Sequence, residues 1–499
     1  MRMNTLLPAV SASTVLLTAL FYQQGIGLNL LLVDLLFLLW LGLSKQLEFT
    51  NRNQMLSAVG FLLTGIFTVV SYTVYAYLIH FLALFIFVGM LNYAKARSFL
   101  TAFGMAFLAL VMAPTIFLQT VYHRKIRENT LGRLFWKSRI FLVPIAIIAV
   151  FVSIYSFSNN VFGNMVSELG VPLQKGINFI FEHLNFSLIF TFLLCAFLSV
   201  FLLTRSKNST LARTDAEANE TFIRTKKSGV RYFRINGLKS EYNAGVFLLI
   251  TLNALLLLIN VIDIDTVWFN FVWDGQTLKE FVHEGTYLLI LSILISIALV
   301  LYFFRGNLNF YKQNKWLKIL SYIWICQNAV LALSVMMRNY WYIEYFALAY
   351  KRIGVIVFLL LTIFGLYTVF VKISQRKSAF YLFKINAFTW FITLILTAAI
   401  PWDSLIAKYN FANADQSYLH LDYLLDFSDK SLPTMDQDAA RWAEIETFQK
   451  ENFEIDAYDM SFETFRDRIE WRKERFKTKW EAKNILSWNL AEYLAYRKL

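Results

Sequence analysis

Long, unbroken runs of apolar residues fill positions 1–400 and then stop; over 401–499 apolar and polar residues mix as in a water-exposed chain. The hydrocarbon core of a bilayer takes a helix of about 20 residues. Runs near that length fall at 5–22, 26–44, 55–72, 74–91, 99–121, 140–157, 186–204, 243–262, 285–304, 316–337, 353–371 and 380–400. They are apolar on every side, whereas strands of a membrane barrel alternate over about 10 residues. Hydrocarbon offers backbone N–H and C=O groups no partner, so such runs span as helices. The pattern predicts an all-α fold, a polytopic transmembrane helix bundle of about 11–13 spans over 1–400, followed by a small helical extramembrane domain over 401–499. The first run has one early base, Arg2, and no small-residue cleavage site before Phe21-Tyr22-Gln23-Gln24, so it reads as a retained span.

Charge adds orientation. The net charge of +13 is split: residues 1–400 hold 33 Lys/Arg and 15 Asp/Glu, net +18, and residues 401–499 hold 14 and 19, net −5. A basic chain invites a nucleic-acid reading, but these bases sit in short loops between spans, where cytoplasmic loops concentrate Lys and Arg. The partner they imply is the bilayer and not a nucleic acid. From residue 122 onward the loops sort by charge. His123–Arg139, Arg205–Tyr242, Arg305–Lys315 and Lys372–Lys377 are basic, whereas 158–185, 263–284 and 338–350 are poor in bases or acidic. The basic set is expected in the cytoplasm, which puts 401–499 outside it. Strict alternation through twelve spans leaves Lys45, Arg52, Lys95 and Arg97 on the wrong side, and the glycine-free, proline-free turn Ser71–Tyr77 is a second weak point in the span count.

Two polar regions have a helical period. Leu173, Ile177, Ile180, Phe181 and Leu184 share one face of 171–185, which suits a helix lying in the outer interface or one capping the bundle. In the tail, Phe462, Phe465, Ile469, Phe476 and Trp480 form an aromatic stripe, beside a basic edge that runs from Arg466 to Lys483. Such a stripe is more often a packing face than a partner-binding one. Pro433 in a first helical turn marks a helix start.

The sequence offers little catalytic chemistry. No glycine-rich phosphate loop and no Gly-x-Ser-x-Gly elbow occurs. His283-Glu284 is not a zinc-protease motif, since position 287 is Tyr287. Cys195 and Cys326 both fall inside spans and read as packing residues, so no metal, cofactor or catalytic residue is assigned. One grouping stands out. Asp263, Asp265, His283, Glu284, Arg338, Glu344, Lys351 and Arg352 all flank spans at the outer face, as a charged pocket or as ordinary interfacial ion pairs that anchor helix ends. In the pocket reading His283 and Glu284 relay protons, while Arg338 and Arg352 bind an anion. Asp34 and His80 lie inside spans, where ionisable residues are costly and often functional. No basic partner for Asp34 is evident, so it reads as interhelical glue, as do Asn253, Asn260, Gln327 and Asn328.

These residues also bear a resemblance. Phe281-Val282-His283-Glu284-Gly285-Thr286, Phe304-Arg305-Gly306, Gln327-Asn328, Arg338 with Tyr342, and Tyr350-Lys351-Arg352-Ile353-Gly354 resemble an uncharacterised family of polytopic bacterial inner-membrane proteins, a domain of unknown function. Gly27-Leu28-Asn29, Leu421-Asp422-Tyr423-Leu424 and Ser431-Leu432-Pro433 are similar as well. The resemblance is strongest over residues 230–435. It implies a multi-pass protein of the bacterial inner membrane and makes the pocket residues family features, but it implies no activity. The leading expectation is a non-enzymatic envelope assembly or sensory component whose C-terminal domain meets a protein partner. The alternative is a secondary transporter with an outer-face charged pocket. A weaker one is a membrane-embedded transferase acting on a lipid-linked substrate.

Overall fold

The computed structural model describes residues 3–47, 51–121, 185–206, 208–224, 232–271, 275–453 and 460–499, with isolated positions between 144 and 165, and gives only the backbone of 3–5, 232–236 and 275–284. The described residues form helices joined by short turns, with no strand among them. The membrane part contains α1 (Met3–Phe21), α2 (Leu28–Leu43), α3 (Arg52–Val70), α4 (Val74–Asn92), α5 (Phe99–Val121), α6 (Phe186–Leu203) and the short α7 (Ser209–Glu217). It continues with α8 (Tyr232–Asp263), α9 (Gly275–Phe303), α10 (Lys315–Phe346), α11 (Tyr350–Ser374) and α12 (Ala379–Ala398). Nine of the described helices are long and apolar enough to cross a bilayer, and α1 and α2 hold the shorter apolar stretches Leu6–Phe21 and Leu28–Leu43. The chain is therefore an integral, multi-pass, all-α membrane protein. The expected span at 140–157 lies largely outside the described residues. The loop His123–Arg139 and positions 171–184 of the amphipathic stretch lie wholly outside them.

Local sequence accounts for the helix starts. Asn51, Thr73, Asn185, Asn208 and Ser378 each accept a backbone N–H of the helix that follows, satisfying groups otherwise left orphaned in hydrocarbon. Thr73 is what permits the doubtful turn between α3 and α4. Tyr72 takes the left-handed conformation (φ 49°) that glycine usually supplies, and Thr73 then caps α4. Both helices are full 19-residue spans. Between α4 and α5 the approach is so close that a Cβ on Gly89 would land on the Ala102 carbonyl. Small residues let membrane helices meet backbone to backbone in this way.

Contacts between connecting segments sort them onto two faces. On the first, Arg205 donates to Gln46 Oε1 (3.1 and 2.8 Å), Ser206 N to Asn92 Oδ1 (2.7 Å) and Phe222 N to the Arg376 carbonyl (2.8 Å). The Phe222 ring lies 6.5 Å from that of Phe310, and buried Lys372 donates to the Phe304 carbonyl (3.0 Å). Lys45, Arg52, Lys95, Arg97, Arg305 and Lys377 belong to this basic face. The turns at 22–27, 71–73, 347–349 and 399–401 lie on the opposite, tail face.

This geometry corrects the expected alternation. Helix α5 starts at the basic face, where Thr101 donates to Asp215 Oδ1 (2.6 Å), and ends at the tail face. Helix α6 starts at the tail face as well, with Asn185 Nδ2 2.5 Å from the Tyr22 hydroxyl. The two described ends of the segment that joins them therefore both lie at the tail face. With that parity, Lys45, Arg52, Lys95 and Arg97 join the other bases and the early mismatch disappears.

The tail comprises α13 (Trp402–Ala412), α14 (Leu421–Leu425), α15 (Leu432–Met435), α16 (Ala439–Asn452), α17 (Phe462–Glu481) and α18 (Leu490–Tyr496). Phe462, Phe465, Ile469 and Phe476 of the aromatic stripe are buried in its core, with Trp442 and Leu432. Two of the stripe's neighbouring bases act inside the tail: Arg472 pairs with Asp429 (2.6 Å) and Lys473 with Asp436 (2.8 Å). No linker separates tail from bundle. Leu348 and Ile353, at the α10–α11 turn, pack into the tail core. Asn410 exchanges hydrogen bonds with the backbone of Leu348 (2.8 and 3.1 Å). At the other end, Leu28 N donates to the Trp488 carbonyl (3.0 Å), and Gly27 packs so tightly that a Cβ would stand 2.6 Å from the Ser487 carbonyl. The tail thus bridges the first helices of the bundle and the last.

Candidate functional site

Two buried polar groupings lie inside the bundle. The first joins Asp34 of α2 to His80 of α4 through α3. Asp34 Oδ1 is 3.5 Å from His80 Nε2, and the two side chains are 3% and 0% exposed. The other ring nitrogen of His80 is 3.3 Å from Thr64 Oγ1, and the ring stacks on Phe61 with centroids 5.2 Å apart. Thr64 already donates to the backbone carbonyls of Gly60 and Phe61 (both 2.9 Å), so it accepts from Nδ1–H. That leaves Nε2 facing the carboxyl group, and the pair is neutral only when it holds one shared proton. An unshared charge at this depth is expensive. Gly65 presses on Asp34 Oδ2 with no room for a Cβ. Asp34 and His80 each stand six residues into a helix that starts at the tail face, about 9 Å deep at 1.5 Å per residue. On the side towards the basic face, Phe37, Phe61 and Phe87 close the space with mutual ring contacts. The expectation that Asp34 lacks a basic partner is corrected. The partner is His80, brought in from another helix.

The second grouping draws on the outer charged residues. Arg338 Nη2 donates to Asp263 Oδ1 at 2.5 Å, Ser334 Oγ donates to Asp263 Oδ2 at 2.8 Å, and both charged side chains are 7% exposed. Asp263 ends α8, and the chain then winds into a π-helical turn, Ile264–Phe269, a rare geometry often found at functional sites. Trp341 fixes that turn by donating to the Val267 carbonyl (2.9 Å) and stacking on Phe271. The start of the apolar part of α9 reaches the same place: a Cβ on Gly285 would stand 3.5 Å from Arg338 Nη1.

The remaining expected pocket residues separate from this pair. Arg352 turns away to the α10–α11 turn, where it donates to the Phe346 carbonyl (2.6 Å) and lies 4.5 Å over the Tyr342 ring. There it braces Ala347, whose φ is 60°. Glu344 and Lys351 are exposed, and so is Asp265, which accepts from Asn270 (2.9 Å). His283 and Glu284 lie on α9, with their side chains outside the described residues. Asn253, Asn260 and Gln327 form an α8–α10 ladder with bonds of 2.9 to 3.1 Å, the glue expected of such residues. No cluster of three or more metal-binding side chains occurs among the described residues.

The pairing of Asp34 with His80 is among the features that sequence reading missed. Its signal was available only in hindsight: both residues lie at equal depth in helices entering from the same face.

No curated protein and no solved structure matches the chain. A family model does match, over residues 12–437, which runs past the end of α12 and takes in α13 to α15 of the tail. The match covers most of the chain, both buried polar groupings and the first half of the tail contact, and the protein therefore belongs to the family described as Domain of unknown function (DUF4153).

Proposed function

We propose that this protein is a non-enzymatic component of the bacterial inner membrane that acts in envelope assembly or sensing through a protein partner bound at its tail. The supporting observation is how the tail is held. Its inner side is fixed to both ends of the bundle, while α17 turns a separate face outward. On that face Arg468, Trp471 and Arg475 are exposed one turn apart, with Trp471 62% exposed and the Arg475 guanidinium 5.3 Å from its ring. Tryptophan and arginine are the residues that binding hot spots favour. Gathering of bases on the opposite face supports an orientation with the basic face in the cytoplasm and the tail outside it. A photo-crosslinking residue at 468, 471 or 475 should trap one discrete protein in intact cells, and the same residue at buried Phe465 should not. Failure at all three exposed positions across growth conditions would sink the proposal.

A second reading, a proton-coupled secondary transporter, is favoured by the Asp34–His80 pair alone. It requires Asp34→Asn to abolish proton movement into energised vesicles that contain the protein; equal flux with and without Asp34 rules it out. The tight seat of Gly65 against Asp34 favours the first reading, since it leaves the pair no channel.

A further inference from the structure

The basic face holds a cavity of about 440 Å³ between the start of α3, the α4–α5 turn and the start of α12. Its described lining is divided by depth. Arg52, Lys95, Arg97 and Lys384 supply four cations and no acid faces them from the lining itself. Leu56, Phe99, Ile385 and Phe388 form an apolar side, with Phe388 one helical turn further into the membrane than Lys384. Two helices also begin here, α3 at Arg52 and α5 at Phe99, and helix starts present positive dipole ends.

The site is braced from behind. Asn53 Nδ2 donates to the Ala96 carbonyl (3.0 Å), tying α3 to the α4–α5 turn. Glu220 bonds Lys384 (2.6 Å) and lies 3.6 Å from Arg97, which aims both cations. The Lys384 ammonium bonded to it holds the Glu220 carboxyl below its usual range, helped by Arg97 and Lys377 and opposed by burial. Arg52 and Lys95 remain exposed at the rim.

We propose that this cavity binds an anionic phospholipid, its phosphate against Arg52, Lys95, Arg97 and Lys384 and its first acyl carbons along Ile385 and Phe388. Basic pockets between transmembrane helices on the basic side of a membrane suit such headgroups, and a soluble phosphate ester has no use for the apolar side. The four cations are dispersed over three segments, positions 52, 95–97 and 384, so no motif announces the site.

The test uses the full chain purified in neutral detergent, with lipid binding read by native mass spectrometry and lipid-induced stabilisation by thermal unfolding. Phosphatidylglycerol should bind and stabilise, and phosphatidylcholine should not. The double variant Arg52→Gln/Lys95→Gln alters only exposed side chains and should unfold at an unchanged midpoint without lipid. It should bind phosphatidylglycerol at least about tenfold more weakly, given the attraction of each base for an anionic headgroup, and the remaining binding should depend less steeply on salt. Equal retention of phosphatidylglycerol by the double variant, or equal retention of phosphatidylcholine by the unmodified chain, overturns the assignment. Displacement of phosphatidylglycerol by equimolar glycerol 3-phosphate overturns it in favour of a soluble phosphate ester.

Discussion

Gly89→Ala should be among the most damaging single-methyl changes in this protein. The added Cβ meets the backbone of α5 at Ala102 rather than a side chain that can rotate away. Around the contact, Met90, Met105, Ala106 and Ala109 are wholly buried, so neither helix has slack to give. Overpacking a core that can adjust costs about 1–3 kcal/mol; with a backbone as the obstacle, about 3 kcal/mol or more is expected, by separation of α4 from α5. Gly42→Ala is the matched control. Nothing lies within 4 Å of a Cβ there, and helix propensity favours alanine by about 1 kcal/mol. Thermal unfolding in detergent should therefore drop sharply for Gly89→Ala and hold or rise for Gly42→Ala. Equal midpoints for the two variants would show that α4 and α5 do not meet at Gly89.

The second large effect is expected at Asp263 and Arg338. Each is buried and each is the other's charge partner. Removing either residue breaks this buried ion pair from one side, a change that costs about 3–5 kcal/mol in protein interiors. Asp263→Ala and Arg338→Ala should each lower the unfolding midpoint markedly. A paired apolar replacement, Asp263→Leu with Arg338→Met, should recover most of the loss, because well-packed apolar residues often replace a buried ion pair at little net cost. Single variants within about 1 kcal/mol of the parent, a size typical of exposed pairs, would mean the pair is solvated.

The fold was legible wherever the signal was local. The runs 74–91 and 99–121 became Val74–Asn92 and Phe99–Val121, since hydrocarbon fixes helix length directly. The runs 243–262 and 316–337 understated α8 and α10, which continue to 32 residues each because polar and aromatic turns extend a helix beyond the apolar stretch that starts it. The side on which a helix starts was not legible, because it depends on which distant segments its end meets, as Asn185 meets Tyr22. The sites were legible as residues but not as partners. Asp34, His80, Asp263, Arg338 and Arg352 were all singled out by being charged near or within spans. That Asp34 takes His80, that Asp263 takes Arg338 and that Arg352 braces a turn follow from how helices far apart in sequence are laid together.

The turn at Tyr72 has a consequence for assembly. A left-handed non-glycine residue costs about 1–2 kcal/mol, and here it is held from the tail. Lys430 donates to the carbonyls of Ser71 (3.2 Å) and Tyr72, and Lys483 lies 4.7 Å over the Tyr72 ring. Lys430 is 358 residues further along the chain than Tyr72. At ~5–20 residues per second of synthesis, about 20–70 s separate the birth of the turn from that of the residue that secures it. The α3–α4 hairpin must therefore wait in the membrane with its sharpest bend unsupported. Lys483, over the Tyr72 ring, comes shortly before Ser487 and Trp488, which seat against Gly27, so one stretch of the tail touches both early turns at the tail face. The bend between the early helices α3 and α4 is thus covered only once the segments that carry Lys430 and Lys483 have been made.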